Sequence, residues 1–212
     1  MRISIVFAAA ILGVGTLGAC AAAADSEADA TAGAELAAAE PQELSCFLQG
    51  STLEEAAQRP SPLGETEIAF EGHTGKFCYG RPSKNDRVVM GELVPFGEPW
   101  RIGANEATAL HLPFAATVGG IDLEPGSYSI YAIPGELEWE FVLNRNYERW
   151  GTPINDEVMS ANIGSFTSMA RQLTETVEQL TVGWHTHGGS EGHLVLDWET
   201  TRVEIGVNLA GG

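Results

Sequence analysis

Basic residues are scarce in this chain of 212 residues, which has 11 lysines and arginines against 29 aspartates and glutamates. The formal net charge of −18 repels nucleic acid and anionic lipid headgroups, so we expect neither as a partner. Such a charge leaves cations and metal ions open as ligands. It also has a simpler interpretation, which is that it keeps the protein soluble.

Catalytic signatures are also missing. The sequence has no Gly-x-Ser-x-Gly nucleophile motif, no phosphate-binding Walker loop and no His-Glu-x-x-His zinc motif. Cysteine occurs three times and never as Cys-x-x-Cys, so a thioredoxin-like redox role has no support. We therefore name no catalytic residue and expect no cofactor, apart from a zinc or copper ion considered below. Whether the protein is an enzyme stays open, and a non-enzymatic role is favoured.

No apolar run at the start of the chain is long enough to span a bilayer, which takes about 20 residues. Residues 3–17 are apolar and follow a positively charged start, which is typical of a secretory signal peptide. Leu17-Gly18-Ala19-Cys20 resembles the bacterial lipobox, in which the cysteine becomes the first mature residue and carries lipid. We therefore predict a lipoprotein signal peptide over 1–19 and a membrane anchor on Cys20. Alanine after Cys20 favours an outer-membrane lipoprotein facing the periplasm or cell surface, and the alternative is a soluble secreted protein cleaved near Ala24.

Residues 20–52 are rich in alanine and acidic residues and have few side chains that could build a core. The sequence predicts that this segment is a disordered tether, followed by a single domain over residues 61–208. Cys46 and Cys78 remain beside Cys20. Because the periplasm is oxidising, we predict that the pair forms a disulfide, and the alternative is two unpaired thiols.

From residue 61 onward, apolar and polar residues alternate with period two, which is typical of strands with one buried face. Pro-Gly and Gly-Gly pairs separate these runs, and no long amphipathic helix interrupts them. The pattern predicts an all-β fold, namely an antiparallel β-sandwich with one long Gly/Pro-rich loop, or alternatively a partly closed β-barrel. About ten short strands are expected, over residues 66–71, 74–79, 107–112, 115–118, 127–133, 138–144, 165–171, 176–184, 193–199 and 201–207.

Five blocks of the sequence carry a family resemblance: YGRP (79–82), GELVPFGEPWRIGANEAT (91–108), LEPGSYSIYAIPG (123–135), EWEFVLN (138–144) and LDWETTRV (196–203). On these blocks the chain resembles the bacterial domain-of-unknown-function family 2911, over residues 61–207. The resemblance implies an exported or lipid-anchored envelope protein with one β-rich domain. It implies no activity, cofactor or catalytic residue, so the roles of residues have to be argued from their chemistry.

Segment 79–108 is dense in glycine, proline and polar residues, and long irregular loops of this kind are often functional. We identify in it a candidate binding site for a polar ligand, a glycan or an envelope partner. Guanidinium groups, an amide and a carboxylate beside an indole ring suit such ligands. The alternative is structural, with Arg81 or Arg101 pairing with Glu106 and Asn105 capping a turn. The candidate residues are Arg81, Trp100, Arg101, Asn105 and Glu106.

Three of the five histidines lie in WHTHGGSEGH, residues 184–193. If a loop over 188–192 joins two strands, His185, His187 and His193 all face away from the core, with His187 opposite His193. Three imidazoles on one face form a candidate site for zinc or copper. The alternative is a solvated hairpin tip whose histidines are incidental.

Two functions therefore compete. The favoured one is a non-enzymatic binding module of the cell envelope that acts through segment 79–108. The other is a metal-binding protein or metal-dependent enzyme that acts through the three histidines of the hairpin.

Overall fold

The computed structural model describes residues 44–211, and most of them lie in strands. The predicted signal peptide, the lipidation site Cys20 and residues 20–43 of the predicted tether lie outside the described residues. Within them, no helix has the length and apolar character needed to cross a membrane. The elements in chain order are α1 (Leu53–Ala57), β1 (Leu63–Phe70), β2 (His73–Gly80), β3 (Ala109–Leu112), β4 (Ala116–Val118), β5 (Ile121–Leu123), β6 (Gly126–Pro134), β7 (Glu138–Asn144), α2 (Asp156–Met159), β8 (Asn162–Met169), β9 (Arg171–Gly188) and β10 (Glu191–Leu209).

The strands form two antiparallel sheets that share one core. The first sheet has six strands in the order β1-β2-β3-β6-β7-β8, and the second has four in the order β5-β4-β10-β9. A single hydrophobic cluster contains Ile68 and Phe141 of the first sheet and Leu196 and Ile205 of the second. The predicted β-sandwich is confirmed, and the described strands do not close into a barrel.

The faces predicted from the period-two pattern are the faces that build the core. Trp139, Phe141 and Leu143 of β7 are all buried. The first sheet is also covered on its outer side, which the pattern did not predict. Ser129 donates a hydrogen bond to the carbonyl of Asn146, so the segment that follows β7 lies over β6 and buries both of its faces.

Strand β10 folds back on itself at Glu199, whose φ of 54° lies in the left-handed region. Arg202 donates two hydrogen bonds to the carboxylate of Asp197 (2.6 and 2.7 Å), and Leu209 N donates to Ser190 O (2.8 Å). Both contacts join an arm before Glu199 to an arm after it. The two arms correspond to the strands predicted separately over 193–199 and 201–207.

Residues 44–59 are held against the first sheet. Cys46 forms a disulfide with Cys78 of β2, with the two Cα atoms 5.7 Å apart, and both residues are buried. Helix α1 begins at a capping box in which Thr52 and Glu55 satisfy each other's backbone N–H groups. The last part of the predicted tether, residues 44–52, therefore belongs to the folded domain. Its composition alone predicts disorder, but the disulfide attaches this segment to β2.

Candidate functional site

Residues 81–108 connect β2 to β3 with almost no regular structure, yet they are fastened at several points. Trp100 and Ala132 of β6 exchange both backbone hydrogen bonds, at 2.7 and 2.8 Å. The carboxylate of Glu199 accepts the backbone N–H groups of Val89 and Met90, at 3.2 and 3.3 Å. These bonds satisfy the backbone of an irregular segment and hold its side chains in fixed positions.

One turn of this segment is strained. Ile102 has a φ of 55°, which β-branched residues rarely adopt, and its side chain is fully buried. At Gly103 the φ is 134°, and an added Cβ would collide with the carbonyl of Gly80. Packing therefore maintains a costly backbone conformation directly after Arg101, and strain of this kind concentrates at functional sites.

A cavity of about 260 Å³ opens beside this turn. Arg87 and Arg101 contribute to its wall, and no described residue lining it carries a carboxylate. In a chain with a net charge of −18, a wall with two guanidinium groups and no acid favours an anionic ligand. The lining residues are Ser61, Pro82, Arg87, Leu93, Val94, Trp100, Arg101, Gly103, Ala104 and Trp198.

Two tryptophans give the cavity an aromatic wall. Trp100 stacks on Trp198 of β10, with ring centroids 5.8 Å apart and ring planes at 15°. Trp139 of β7 contacts Trp100 edge-on at 5.7 Å. Trp198 Nε1 also donates to the carbonyl of Glu178 (3.3 Å). Trp198 is buried and Trp100 is half-buried, so the part of the Trp100 ring that remains exposed is the apolar surface that a sugar ring or another planar group could contact.

Arg101 has hydrogen-bonding capacity that the described part of the chain does not meet. Its Nε is buried without an acceptor, and none of the ion pairs among the described residues includes it. Burial lowers the pKa of the Arg101 guanidinium, but arginine remains charged in proteins. A buried donor without a partner costs about 1–3 kcal/mol.

Glu106 and Asn105 bind other parts of the protein instead of facing this cavity. Arg59 donates two hydrogen bonds to the Glu106 carboxylate (2.7 and 3.1 Å), and Gln49 N donates a third (3.0 Å). Desolvation raises the pKa of Glu106, but the bonds from Arg59 and Gln49 outweigh it and hold the pKa below its ordinary value. The amide of Asn105 donates to the carbonyl of Ser61 (2.8 Å). Both side chains thus fix the loop, as in the structural alternative, although the partner of Glu106 is Arg59 and not Arg81 or Arg101.

Arg81 also lies away from the cavity wall. Its aliphatic stem covers Gly64 of β1, and its Nε is 3.4 Å from the carbonyl oxygen of Leu180 in β9. Of the five candidate residues, the structure therefore brings Trp100 and Arg101 together at the cavity and places the other three in structural contacts.

Two residues at the cavity, Arg87 and Trp198, were not among the candidates. Arg87 lies in the same irregular segment, but nothing in the sequence distinguishes it from a solvated arginine. Trp198 comes from a distant strand, and it is buried in the core as the alternation predicts. Gly151 does not line the cavity but lies under the stem of Arg101, where an added Cβ would overlap the Arg101 side chain. Only the folded chain brings these residues to one place.

The histidine hairpin has a different register from the predicted one. Its turn is Gly189-Ser190 and not a loop over 188–192, and His193 pairs with His185. The predicted pairing of His187 with His193 is therefore wrong by two residues, because Gly188 and Gly189 adopt positive φ and close a tighter turn. The rings still meet, since His187 Nε2 lies 2.7 Å from His193 Nδ1. Among the described residues, no group of three metal-ligating side chains is already arranged around one point.

A family model described as a protein of unknown function (DUF2911) matches residues 61–207 of the chain. The chain belongs to this family. The matched range contains the whole cavity lining and the histidine hairpin, so both lie within the DUF2911 domain. No curated protein and no solved structure matches the chain. The predicted family is confirmed, and it carries no activity from which a role could be transferred.

Proposed function

We propose that this protein is a non-enzymatic binding module for a small anionic ligand with a flat apolar face, such as a sugar acid. The ligand would lie on Trp100 and present its carboxylate to Arg101 and Arg87. The observation that carries the proposal is the lining of the cavity, in which Arg87, Arg101 and Trp100 lie together without any carboxylate.

Local and long-range electrostatics act differently on such a ligand. The acidic body repels anions at a distance, which slows their approach, but screening confines this effect to about 8–10 Å at physiological salt. Inside the cavity a carboxylate meets two guanidinium groups, and such charge-assisted hydrogen bonds are roughly twice as strong as neutral ones. Arg87 is held in position by its bonds to the carbonyls of Ser83 and Lys84 (both 2.7 Å).

We also propose that the module works in the cell envelope, attached to the outer membrane through lipid on Cys20. The signal-like start of the chain and the lipobox-like Leu17-Gly18-Ala19-Cys20 support this location. The disulfide between Cys46 and Cys78 also supports it, because such bonds persist in oxidising compartments. Metabolic labelling of the expressed chain with a fatty acid tests the anchor, and a Cys20→Ala variant that still takes up the label would contradict it.

The binding proposal is tested by titrating the full chain with glucuronate and with glucose, following tryptophan fluorescence. We expect glucuronate to bind and Arg101→Gln to weaken its binding at least about tenfold, which corresponds to one charge-assisted bond. Arg145→Gln is the matched control, because Arg145 is exposed and does not line the cavity. Equal affinity for glucose and glucuronate, or an unchanged affinity in Arg101→Gln, would contradict the proposal.

A further inference from the structure

The outward face of the β9–β10 hairpin gathers three imidazole rings. His193 lies on the first arm of β10, directly opposite His185 of β9, and their rings stack with centroids 5.5 Å apart. His187 also stacks on His193, with the two ring centroids 4.6 Å apart. His187 Nε2 and His193 Nδ1 are 2.7 Å apart, so the N–H of one ring donates a hydrogen bond to the nitrogen of the other. No other side-chain hydrogen bond of these two rings is present among the described residues.

Ligating imidazoles have to be neutral, so a bound metal takes the place of a proton on the ligating nitrogen. Glu204, on the returning arm of β10, lies close enough to His193 to interact with it electrostatically. Its carboxylate adds negative charge beside the rings, which favours a bound cation.

We propose that His187 and His193, with His185 as a third ligand, form a binding site for a divalent transition-metal ion, Zn²⁺ or Cu²⁺. A metal would replace the proton that the two rings now share. Two nitrogen ligands of a tetrahedral zinc ion lie about 3.3 Å apart, given Zn–N bonds near 2.0–2.1 Å. The observed separation of 2.7 Å is shorter and the two rings are stacked at 27°, so both side chains have to rotate to direct their nitrogens at one ion.

The third ligand requires a larger movement. The stacked ring of His185 does not point its nitrogens at the same point as the other two, in agreement with the lack of a ready three-ligand group among the described residues. His185 is exposed, so it has room to rotate. Gly183 lies two residues before His185 on the same face of β9. Because Gly183 has no side chain, and an added Cβ would still be 3.7 Å from His185 Nε2, the His185 ring has space on this side. A water molecule would complete the coordination.

This site shares no residue with the cavity, so it is independent of the proposed function. The acidic body of the protein repels the anion of the cavity at long range but attracts a metal cation. The imidazoles belong to the softer nitrogen donors that zinc and copper prefer, whereas carboxylates alone would favour magnesium or calcium.

The test is calorimetric titration of the metal-free full chain with ZnCl₂ and with CuCl₂. We expect one ion per chain, and we expect His193→Ala and His187→Ala each to weaken Zn²⁺ binding at least about 100-fold, since even loss of a supporting group costs 10–100-fold. His73→Ala is the matched control, because His73 is exposed on β2 outside the hairpin. Its affinity is expected to equal that of the unaltered chain.

Two results would overturn the proposal. The first is that the unaltered chain takes up no metal or takes it up without a defined stoichiometry. The second is that His187→Ala and His193→Ala bind as tightly as His73→Ala, which would mean an adventitious ion only. His187 is exposed at the hairpin tip, so its variant keeps the test valid even if His193→Ala fails to fold.

Discussion

The side chains of segment 81–108 and those of the histidine hairpin are held in position by different kinds of contact. The segment lacks regular structure, and its position depends on hydrogen bonds from distant residues, such as Glu199 and Ala132. The hairpin consists of paired strands, but the rings at its tip are fixed mainly by contact with one another. A site can therefore be rigid without secondary structure, and regular secondary structure does not by itself make a site rigid.

The two regions also differ in the charge that they would bind. The cavity wall offers guanidinium groups without a carboxylate, and the hairpin offers imidazoles near Glu204. Variants that act on one region and leave the other unchanged test whether the two are independent, as residues without shared partners should be.

The largest effect is expected from removing the disulfide with Cys46→Ala and Cys78→Ala. The bond closes a loop of sequence separation 32, and chain-entropy arguments put its contribution at about 3–4 kcal/mol. Urea unfolding measures this loss of stability. Gln49 and Arg59 both bind Glu106, which lies in the same irregular segment as the cavity residues Trp100 and Arg101, so glucuronate binding should weaken as well.

The hairpin provides the contrast in that experiment. Zn²⁺ binding by the disulfide variant should be unchanged, since no described hydrogen bond links residues 44–59 to the hairpin tip. An equal loss in both sites would show that the segment supports the whole sandwich and not the cavity side alone.

A smaller effect is expected from Glu106→Gln, which removes the charge that Arg59 binds. Hydrogen bonds to charged groups contribute about 1.5–3 kcal/mol, so the variant should lose stability in that range at pH 7. The pKa of Glu106 is lowered by folding, so its stabilising contribution is present above the ordinary glutamate pKa and is lost as the pH falls through the folded value. Unfolding measured at pH 7 and at pH 3 should therefore show a difference between the two proteins that shrinks in acid. A difference that stays constant with pH would mean that the glutamate charge is not what matters.

The contrast between the two regions also explains what the sequence could predict. The alternation of apolar and polar residues correctly predicted which side chains of β7 and β10 are buried, because successive side chains of any strand point to opposite faces. The hairpin register was wrong by two residues, yet His185, His187 and His193 were placed on the correct face, since a shift by an even number keeps every side chain on its side. Local pattern thus determines faces better than register.

The cavity depends on information of another kind. Trp198 stacks on Trp100, and Arg59 pairs with Glu106, across long stretches of chain without any periodic relation. The sequence indicated segment 79–108 as the functional region because of its composition, but not which of its arginines would remain unpaired. Pairing is decided by tertiary contacts. One partner of Glu106, the backbone N–H of Gln49, lies in the segment 20–52 that was expected to be a tether, and the other, Arg59, lies just beyond it.

The smallest effect is expected from Asp197→Asn, which weakens the ion pair with Arg202 between the two arms of β10. The Arg202 side chain is 39% exposed, and pairs with that degree of solvent contact contribute about 0.2–1 kcal/mol. Glu65→Gln, which breaks the similarly exposed pair with Lys76, is the matched control, and both losses should shrink at high salt. The arms are joined by backbone hydrogen bonds such as Leu209 N to Ser190 O, so Zn²⁺ affinity at the hairpin should not change. A loss well above 1 kcal/mol together with weaker Zn²⁺ binding would show that this pair, and not the backbone, keeps the arms of β10 together and positions His193.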